Sequence, residues 1–232
     1  MKIDRLRRAL QERLPVRDED FDAIYPFMYQ QVSSRYWTPV ETARRATDLL
    51  VGEGARRVLD VGAGVGKFCL VGAASATRAR FVGIEQRAHL VQAARDATRR
   101  LGSKRVEILH GRLHDIDTAA FDAFYFYNPF AENLLGRTTR LDDYVHLSRE
   151  RYKADVRQAA AVLTAAPAGT RVVTYYGYGG KMPPEYDLVH VERRHCGALQ
   201  LWIKSEAARA KGIAALGSTL TSTRLKVGTP AS

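Results

Sequence analysis

Cysteine is scarce in this sequence of 232 residues, which has only Cys69 and Cys196, far apart along the chain. A framework of disulfides is therefore not expected, and a metal site built from cysteines is nearly excluded. Long apolar runs are also missing, since none approaches the roughly 20 residues that are needed to cross a bilayer. Residues 1–5 are charged and lack the apolar segment of a secretory signal. We expect a cytoplasmic protein without membrane contact.

Acidic residues are fewer than basic ones, which gives a formal net charge of +11 and a pI of about 9.9. Such an excess favours anionic partners, such as nucleic acid or an acidic protein surface. The alternative is that the arginines simply occupy solvated faces. The arginines are spread along the chain without a block of about five or six like charges, which favours this alternative. The remaining composition, with 46% hydrophobic residues, is that of an ordinary globular protein.

Apolar residues at helical spacing predict that residues 1–50 form a helical N-terminal extension. A first helix is expected to end at Pro15, and a second amphipathic stretch is expected over residues 18–32. Thr38 and Glu41 have the spacing of a capping box, which predicts a third helix of about twelve residues.

From residue 51 to residue 204, short apolar segments alternate with amphipathic ones. Strands are predicted over residues 57–61, 80–84, 105–109, 121–127, 170–176, 188–193 and 198–204, and helices over 66–76, 86–101 and 141–166. This alternation implies a parallel sheet, but the last two strands are joined by a short turn and must pair antiparallel. The predicted fold is therefore α/β, with a Rossmann-like, mostly parallel seven-stranded sheet that ends in an antiparallel hairpin. Residues 205–232 are predicted to be a flexible tail, with at most one short helix.

A glycine-rich loop, Asp60-Val61-Gly62-Ala63-Gly64-Val65-Gly66, follows the first predicted strand and opens a helix. Glycine permits a tight turn and lets a ligand approach the main chain closely. The helix N-terminus presents free N–H groups and the positive end of the helix dipole, which suit a carboxylate as well as a phosphate. Asp60 stands where an acid can accept a hydrogen bond from a ligand's amino group. The alternative is a turn that only packs a strand on a helix.

Glu85 ends the second predicted strand, where an acid can accept hydrogen bonds from both hydroxyls of a ribose. A solvated loop carboxylate is the alternative. Both features also suit a nicotinamide enzyme, but three observations argue against one. The loop is GxGxG with an acid two residues before it rather than GxGxxG, the chain is too short for a separate substrate domain, and the sheet ends in a hairpin.

With this loop and this acid, the chain resembles the class I S-adenosylmethionine-dependent methyltransferases over roughly residues 36–204. Residues 58–67 and 81–85 are the specific part of the resemblance. It implies one core domain over residues 51–204 and S-adenosylmethionine as the cofactor, without a metal ion. The residues expected to bind the cofactor are Tyr36, Thr38, Asp60, Gly62, Gly64, Glu85, Gln86, Gly111 and Asn128.

Many members of that family place an acid after the third strand, against the amino group of adenine. Here the stretch reads His110-Gly111-Arg112-Leu113-His114-Asp115. Gly111 fits the turn, but Arg112 occupies the usual place of the acid, and Asp115 takes its role only if the loop is shifted. For the two histidines we expect a surface or capping role rather than metal binding.

The fourth predicted strand ends in Tyr127-Asn128-Pro129-Phe130, which resembles the (Asn/Asp)-Pro-Pro-(Tyr/Phe) motif of amino methyltransferases with one proline instead of two. That motif implies that Asn128 and nearby backbone acceptors hold a target nitrogen in line with the methyl group, while Phe130 packs on the target. Asn128 and Phe130 are therefore the predicted catalytic residues; a turn residue is the alternative for Asn128. Residues 128–132 and 36–41 also resemble, in part, the non-SET histone-lysine methyltransferases.

Further aromatic residues lie near these motifs. Tyr36 and Trp37 are expected to cover the methionine or the target, or else to act as a hydrophobic staple on the third helix. Tyr175, Tyr176 and Tyr178 lie at or after the end of the fifth strand, where they either line an acceptor pocket or serve as sheet-forming residues.

Methyl transfer to a neutral amine needs little beyond alignment, whereas an oxygen acceptor usually wants a base or a metal. No convincing His–Asp pair or metal cluster is visible in the sequence. We therefore expect a methyltransferase that acts on a nitrogen of a protein or small molecule. RNA or DNA as acceptor is one alternative, and a cofactor-binding module without catalysis is another.

Overall fold

One seven-stranded sheet organises the computed structural model, which describes residues 3–52, 54–194 and 197–205. In chain order the strands are β1 (Arg57–Val61), β2 (Arg80–Glu85), β3 (Val106–His110), β4 (Ala123–Tyr127), β5 (Arg171–Tyr175), β6 (Tyr186–Arg194) and β7 (Gly197–Lys204). Across the sheet the order is β3-β2-β1-β4-β5-β7-β6. The pairings among β1 to β5 are parallel, and β7 runs antiparallel to both of its neighbours. The predicted fold class is confirmed.

Helices cover both faces of the sheet. They are α1 (Ile3–Gln11), α2 (Asp18–Asp22), α3 (Phe27–Gln30), α4 (Ser33–Tyr36), α5 (Val40–Val51), α6 (Lys67–Ser75), α7 (Ala88–Leu101) and α8 (Arg149–Ala165). Because side chains of a strand alternate between faces, Tyr125 of β4 joins the core beneath α1 and α5 to α7, while Phe124 and Phe126 join the core beneath α8. Within the described residues, no helix has the length and apolar character that a membrane span requires.

The second amphipathic stretch of the N-terminal extension, predicted over residues 18–32, forms two short helices, α2 and α3, and a third, α4, follows it. Pro26 is the N-cap of α3, and it separates α2 from α3 because its ring lacks a backbone donor and clashes with a preceding helical turn.

The predicted capping box of Thr38 and Glu41 is wrong. Helix α5 begins at Val40, and its N-cap Pro39 makes no side-chain capping bond. The N–H of Val40 instead donates to the Asp18 carboxylate at 2.8 Å. Thr38 turns inward, where its hydroxyl shares a hydrogen bond of 3.1 Å with that of Tyr125. Asp18, which is distant in sequence, therefore caps α5 in the place that the local spacing predicted for Thr38.

The long helix after β4 begins at Arg149 rather than at residue 141. Ser148 caps it by accepting a hydrogen bond from the N–H of Arg151 at 3.1 Å. Residues 131–148, here named the crossover segment, contain two short 3-10 turns (Ala131–Leu134 and Arg137–Thr139) and otherwise irregular chain. Beyond Ser205, the predicted tail lies outside the described residues, and the predicted domain boundaries stay predictions.

Candidate functional site

The glycine-rich loop after β1 has the left-handed backbone that its glycines permit. Gly62, Gly64 and Gly66 have φ angles of 75°, 56° and 74°. A Cβ on Gly62 would lie 2.8 Å from Cβ of Pro129, and one on Gly64 would lie 2.6 Å from the ring of Trp37. The loop is therefore packed between the turn after β4 and the segment before α5, and a side chain at either glycine would disturb both.

A cavity of about 320 Å³ opens at the carboxyl ends of the parallel strands, beside this loop. In open α/β sheets this edge is where ligands bind, and the volume falls in the range of ligand pockets. Among the residues that line the cavity, those predicted from the sequence are Tyr36, Gly62, Gly64, Glu85, Gln86, Gly111, Asn128 and Phe130.

The remaining predicted residues, Thr38 and Asp60, line a small adjoining pocket of about 30 Å³. Tyr36, Gly62 and Tyr127 border both spaces. All residues predicted to form the site therefore lie around one continuous region of the molecule.

Asp60 is a buried acid at the end of the site nearest β4. Its carboxylate accepts a hydrogen bond from the thiol of Cys69 at 3.5 Å. Burial raises the pKa of Asp60 to about 7, and the nearby charge of Glu85 adds to the rise while the thiol opposes it. A ligand that brings a positive charge to this carboxylate would stabilise its ionised form.

Glu85 is also buried, and its two carboxylate oxygens accept hydrogen bonds from backbone N–H groups. Gly64 donates to one at 3.1 Å and Arg87 to the other at 2.9 Å. Burial raises the pKa of Glu85, although these bonds and the Arg87 charge oppose the rise. The acid therefore connects the glycine-rich loop to the start of α7 at the cavity wall.

The crossover segment covers the cavity and is held by Arg87, which the sequence analysis missed. The buried guanidinium of Arg87 pairs with Glu132 at 3.0 Å and with Asp142 at 2.9 Å. Burial is the largest single influence and tends to raise the pKa of Asp142, but the hydrogen bonds from Arg87, the N–H of Tyr144 and His89, together with the Arg87 charge, outweigh it and the pKa is lowered. From the other side, Arg35 and Tyr36 both donate to the carbonyl oxygen of Thr139, at 2.8 and 2.9 Å.

The turn after β4 lies against the glycine-rich loop in a strained conformation. Asn128 has a φ of 42°, and its N–H donates to the carbonyl of Gly177 at 3.0 Å. Pro129 packs on Gly62, and Phe130 is buried. Non-glycine residues rarely adopt a positive φ, and such strain is often found at functional sites.

Of the three tyrosines near the end of β5, two lie close to this turn. The ring centroids of Tyr127, Tyr175 and Tyr176 are 4.7 to 5.9 Å apart. Tyr176, which also has a positive φ of 62°, is 42% exposed. Tyr178 is buried in the core beneath α8, so that packing is its role in the structure.

The turn after β3 presents no acid to the cavity in the position that the family pattern suggests. Arg112 pairs with Asp155 of α8, and Asp115 accepts a hydrogen bond from the N–H of Arg112 at 2.7 Å. His114 lies 3.3 Å from Asp115. Throughout the described ranges, no group of three or more His, Cys, Asp or Glu side chains is arranged to hold a metal ion.

Residues 53–135 match a family model described as a methyltransferase domain. No curated protein matches the sequence.

Solved structures with a similar fold share little sequence with this chain. An RNA methyltransferase from Salinibacter ruber, in complex with S-adenosyl-L-homocysteine, is 18% identical with a TM-score of 0.50, over 72% of this chain and 90% of that one. TrmN from Thermus thermophilus is 17% identical with a TM-score of 0.57, over 76% and 52%. A putative O-methyltransferase from Klebsiella pneumoniae is 13% identical with a TM-score of 0.51, over 84% and 90%. At these identities the likeness concerns the fold.

Three features suit a nucleoside cofactor that also carries a carboxylate. They are the glycine-rich loop, the buried Glu85 at the end of β2 and the cavity at the strand ends. Together with the match of residues 53–135 to a methyltransferase domain, they support S-adenosylmethionine-dependent methyltransferase activity. The predicted cofactor and enzyme class are therefore confirmed, and the finer resemblance to the histone-lysine enzymes stays a prediction.

Proposed function

We propose that the enzyme transfers the methyl group to a nitrogen atom that is presented beside Asn128. The observation that carries this proposal is the contact between Pro129 and Gly62, which puts the turn after β4 directly against the glycine-rich loop. An acceptor held at Asn128 therefore meets a donor held on that loop.

The cofactor roles follow from the order of the side chains around the cavity. Gly62 and Gly64 line the cavity without side chains, so the methionine part can approach their backbone closely, and Asp60 accepts from its amino group. Glu85 accepts from the ribose hydroxyls, with Gln86 and Gly111 farther along the same wall. Tyr36 and Thr38 close the methionine end, because they border the small pocket that contains Asp60.

Methyl transfer to a neutral amine requires alignment of donor and acceptor more than it requires proton transfer. The bound donor supplies a methyl group on a positively charged sulfur, and the amide oxygen of Asn128 orients the lone pair of a neutral amine toward it. Phe130 packs beneath the acceptor and excludes water. Glu132, the carboxylate of the crossover segment that lines the cavity, is engaged by Arg87 and by the N–H of Leu141, so it is not free to act as a base for an oxygen acceptor.

A nitrogen on a protein or small molecule is the acceptor that we favour, and a base of RNA or DNA is the second candidate. The net charge of +11 supports the second candidate, as does the shared fold with the RNA methyltransferase from Salinibacter ruber. Nucleic-acid binding of this kind would weaken steeply with salt.

The acceptor is tested by incubating the enzyme with host-cell extract and radiolabelled S-adenosylmethionine. Label is then divided among protein, nucleic acid and small molecules, and the modified atom is identified by mass spectrometry. We expect the methyl group on nitrogen and resistant to alkali. Label released by alkali as methanol would show an ester oxygen as the acceptor and would overturn the proposal.

The role of Asn128 is tested with two variants that keep its left-handed backbone. Asn128→Gly removes the amide, whereas Asn128→Asp keeps an oxygen acceptor. In Asn128→Gly we expect kcat to fall about 100-fold, because the acceptor loses its alignment. Asn128→Asp should retain more of the rate, and in both variants kcat should fall by a larger factor than the affinity for S-adenosylmethionine. Equal and undiminished rates in both variants would remove Asn128 from the mechanism.

A further inference from the structure

The order of the strands indicates where the adenine of the cofactor lies. Strands β1, β2 and β3 are neighbours, and the site residues Gly62, Glu85 and Gly111 follow or end them in that order. A cofactor with its methionine part at Gly62 and its ribose at Glu85 extends its base toward Gly111. The recognition of adenine therefore depends on the residues around the turn after β3.

The polar side chains of that turn are engaged by other protein groups. The Asp115 carboxylate bonds back to the N–H of Arg112, and the Arg112 guanidinium extends to Asp155. An acid in the usual place would accept a hydrogen bond from the adenine amino group, whereas the guanidinium of Arg112 offers only donors.

Helix α8 supplies the other wall of this end of the cavity. It packs against the turn Leu113–Asp115, and its Asp155 and Gln158 both line the cavity. Asp155 is committed to Arg112, and Arg151 lies 3.9 Å from its second oxygen. The half-buried side chain of Gln158 makes no hydrogen bond to the residues that the structure describes.

An unengaged carboxamide at this position fits the edge of adenine. It offers one acceptor and two donors, and the adenine edge presents an amino donor beside a ring-nitrogen acceptor, a pair that glutamine matches with two hydrogen bonds. We infer that Gln158 of α8 recognises the adenine of S-adenosylmethionine, in place of an acid after β3. The Arg112–Asp155 pair holds the turn and the helix at the spacing that this contact requires.

The test combines a protein variant with a ligand variant. Calorimetry measures the affinity of wild type and Gln158→Leu for S-adenosylhomocysteine and for its analogue without the 6-amino group of the purine. Wild type should bind the natural ligand about fivefold more tightly than the analogue, the effect of one neutral hydrogen bond. Gln158→Leu should bind the two about equally. Leucine keeps the volume of the side chain, and Gln92→Leu on the exposed side of α7 serves as the matched control.

Each outcome decides between roles. Loss of discrimination in Gln158→Leu alone supports the inference. Undiminished discrimination in that variant overturns it and points to another acceptor, with Asp155→Asn as the next variant. If wild type binds neither ligand, the cofactor assignment itself fails, which is a different result from a failure of Gln158.

Discussion

At the scale of single residues, the acids of the site differ from ordinary surface carboxylates because they are buried. The pKa of Asp60 rises from the usual 3.8 to about 7. The folded protein therefore binds a proton at Asp60 more tightly than the unfolded chain does. Between about pH 4 and 7 the unfolded state has lost this proton and the folded state keeps it, so stability falls as pH rises.

Asp60→Asn should remove this loss of stability. From pH 5 to pH 8, the free energy of unfolding of the wild type should fall by about 2–3 kcal/mol more than that of the variant. Urea unfolding of the ligand-free protein at several pH values measures the difference, with the exposed Asp187→Asn as the control. Parallel pH profiles for the wild type and Asp60→Asn would show that Asp60 titrates normally.

At the scale of elements, the crossover segment has little regular structure of its own and is held in place by Arg87, the N-cap residue of α7. Arg87 is 5% exposed, and its partners Glu132 and Asp142 have side chains that are 16% and 13% exposed. Removal of one partner from a buried ion pair leaves the others without compensation, which costs far more than the loss of a surface pair.

Arg87→Met should therefore destabilise the protein by about 3 kcal/mol. The matched control is Arg137→Met, which removes an exposed pair with Asp143 in the same segment and should cost less than about 1 kcal/mol. Chemical unfolding gives both values. A cost for Arg87→Met no larger than that of the control would mean that the crossover segment is not held through this arginine.

At the scale of the whole molecule, the N-terminal extension belongs to the core of the enzyme. Leu6, Leu10 and Phe21 are buried in the same core as Phe68 and Tyr125. Lys67, directly after the glycine-rich loop, is 1% exposed and pairs with Asp18 at 2.7 Å and Asp22 at 2.8 Å. The extension is thus fixed to the start of α6, beside the cofactor site.

A chain that begins at residue 53, where the family match begins, should lack a cooperative thermal transition and should not bind S-adenosylmethionine. It leaves the core beneath α5 open to water and lacks Tyr36 and Trp37 of the cavity wall. Circular dichroism against temperature and calorimetry check the two properties. Cooperative unfolding with intact cofactor binding would instead make residue 50 a true domain boundary, as the sequence predicted.

Local patterns in the sequence were sufficient for the sheet, its hairpin, the glycine-rich loop and the position of Glu85. These features depend on periodicity, glycine and strand ends, which neighbouring residues specify. The pairing of Arg87 with Glu132 and Asp142, the cap that Asp18 gives to α5, and the position of Gln158 were not predicted. Each depends on a tertiary contact between segments far apart in sequence, and no local spacing encodes such a contact.

The carbonyl of Thr139 has a consequence for turnover. It is where the crossover segment meets helix α4, and it accepts hydrogen bonds from Arg35 and Tyr36 of that helix. Both bonds are exposed to water, whereas the anchors of the two segments, Arg87 and Trp37, are buried. We expect spent cofactor to leave when water replaces these two exposed hydrogen bonds. The buried anchors Arg87 and Trp37 keep both segments in place, so the site keeps its shape for the next cycle.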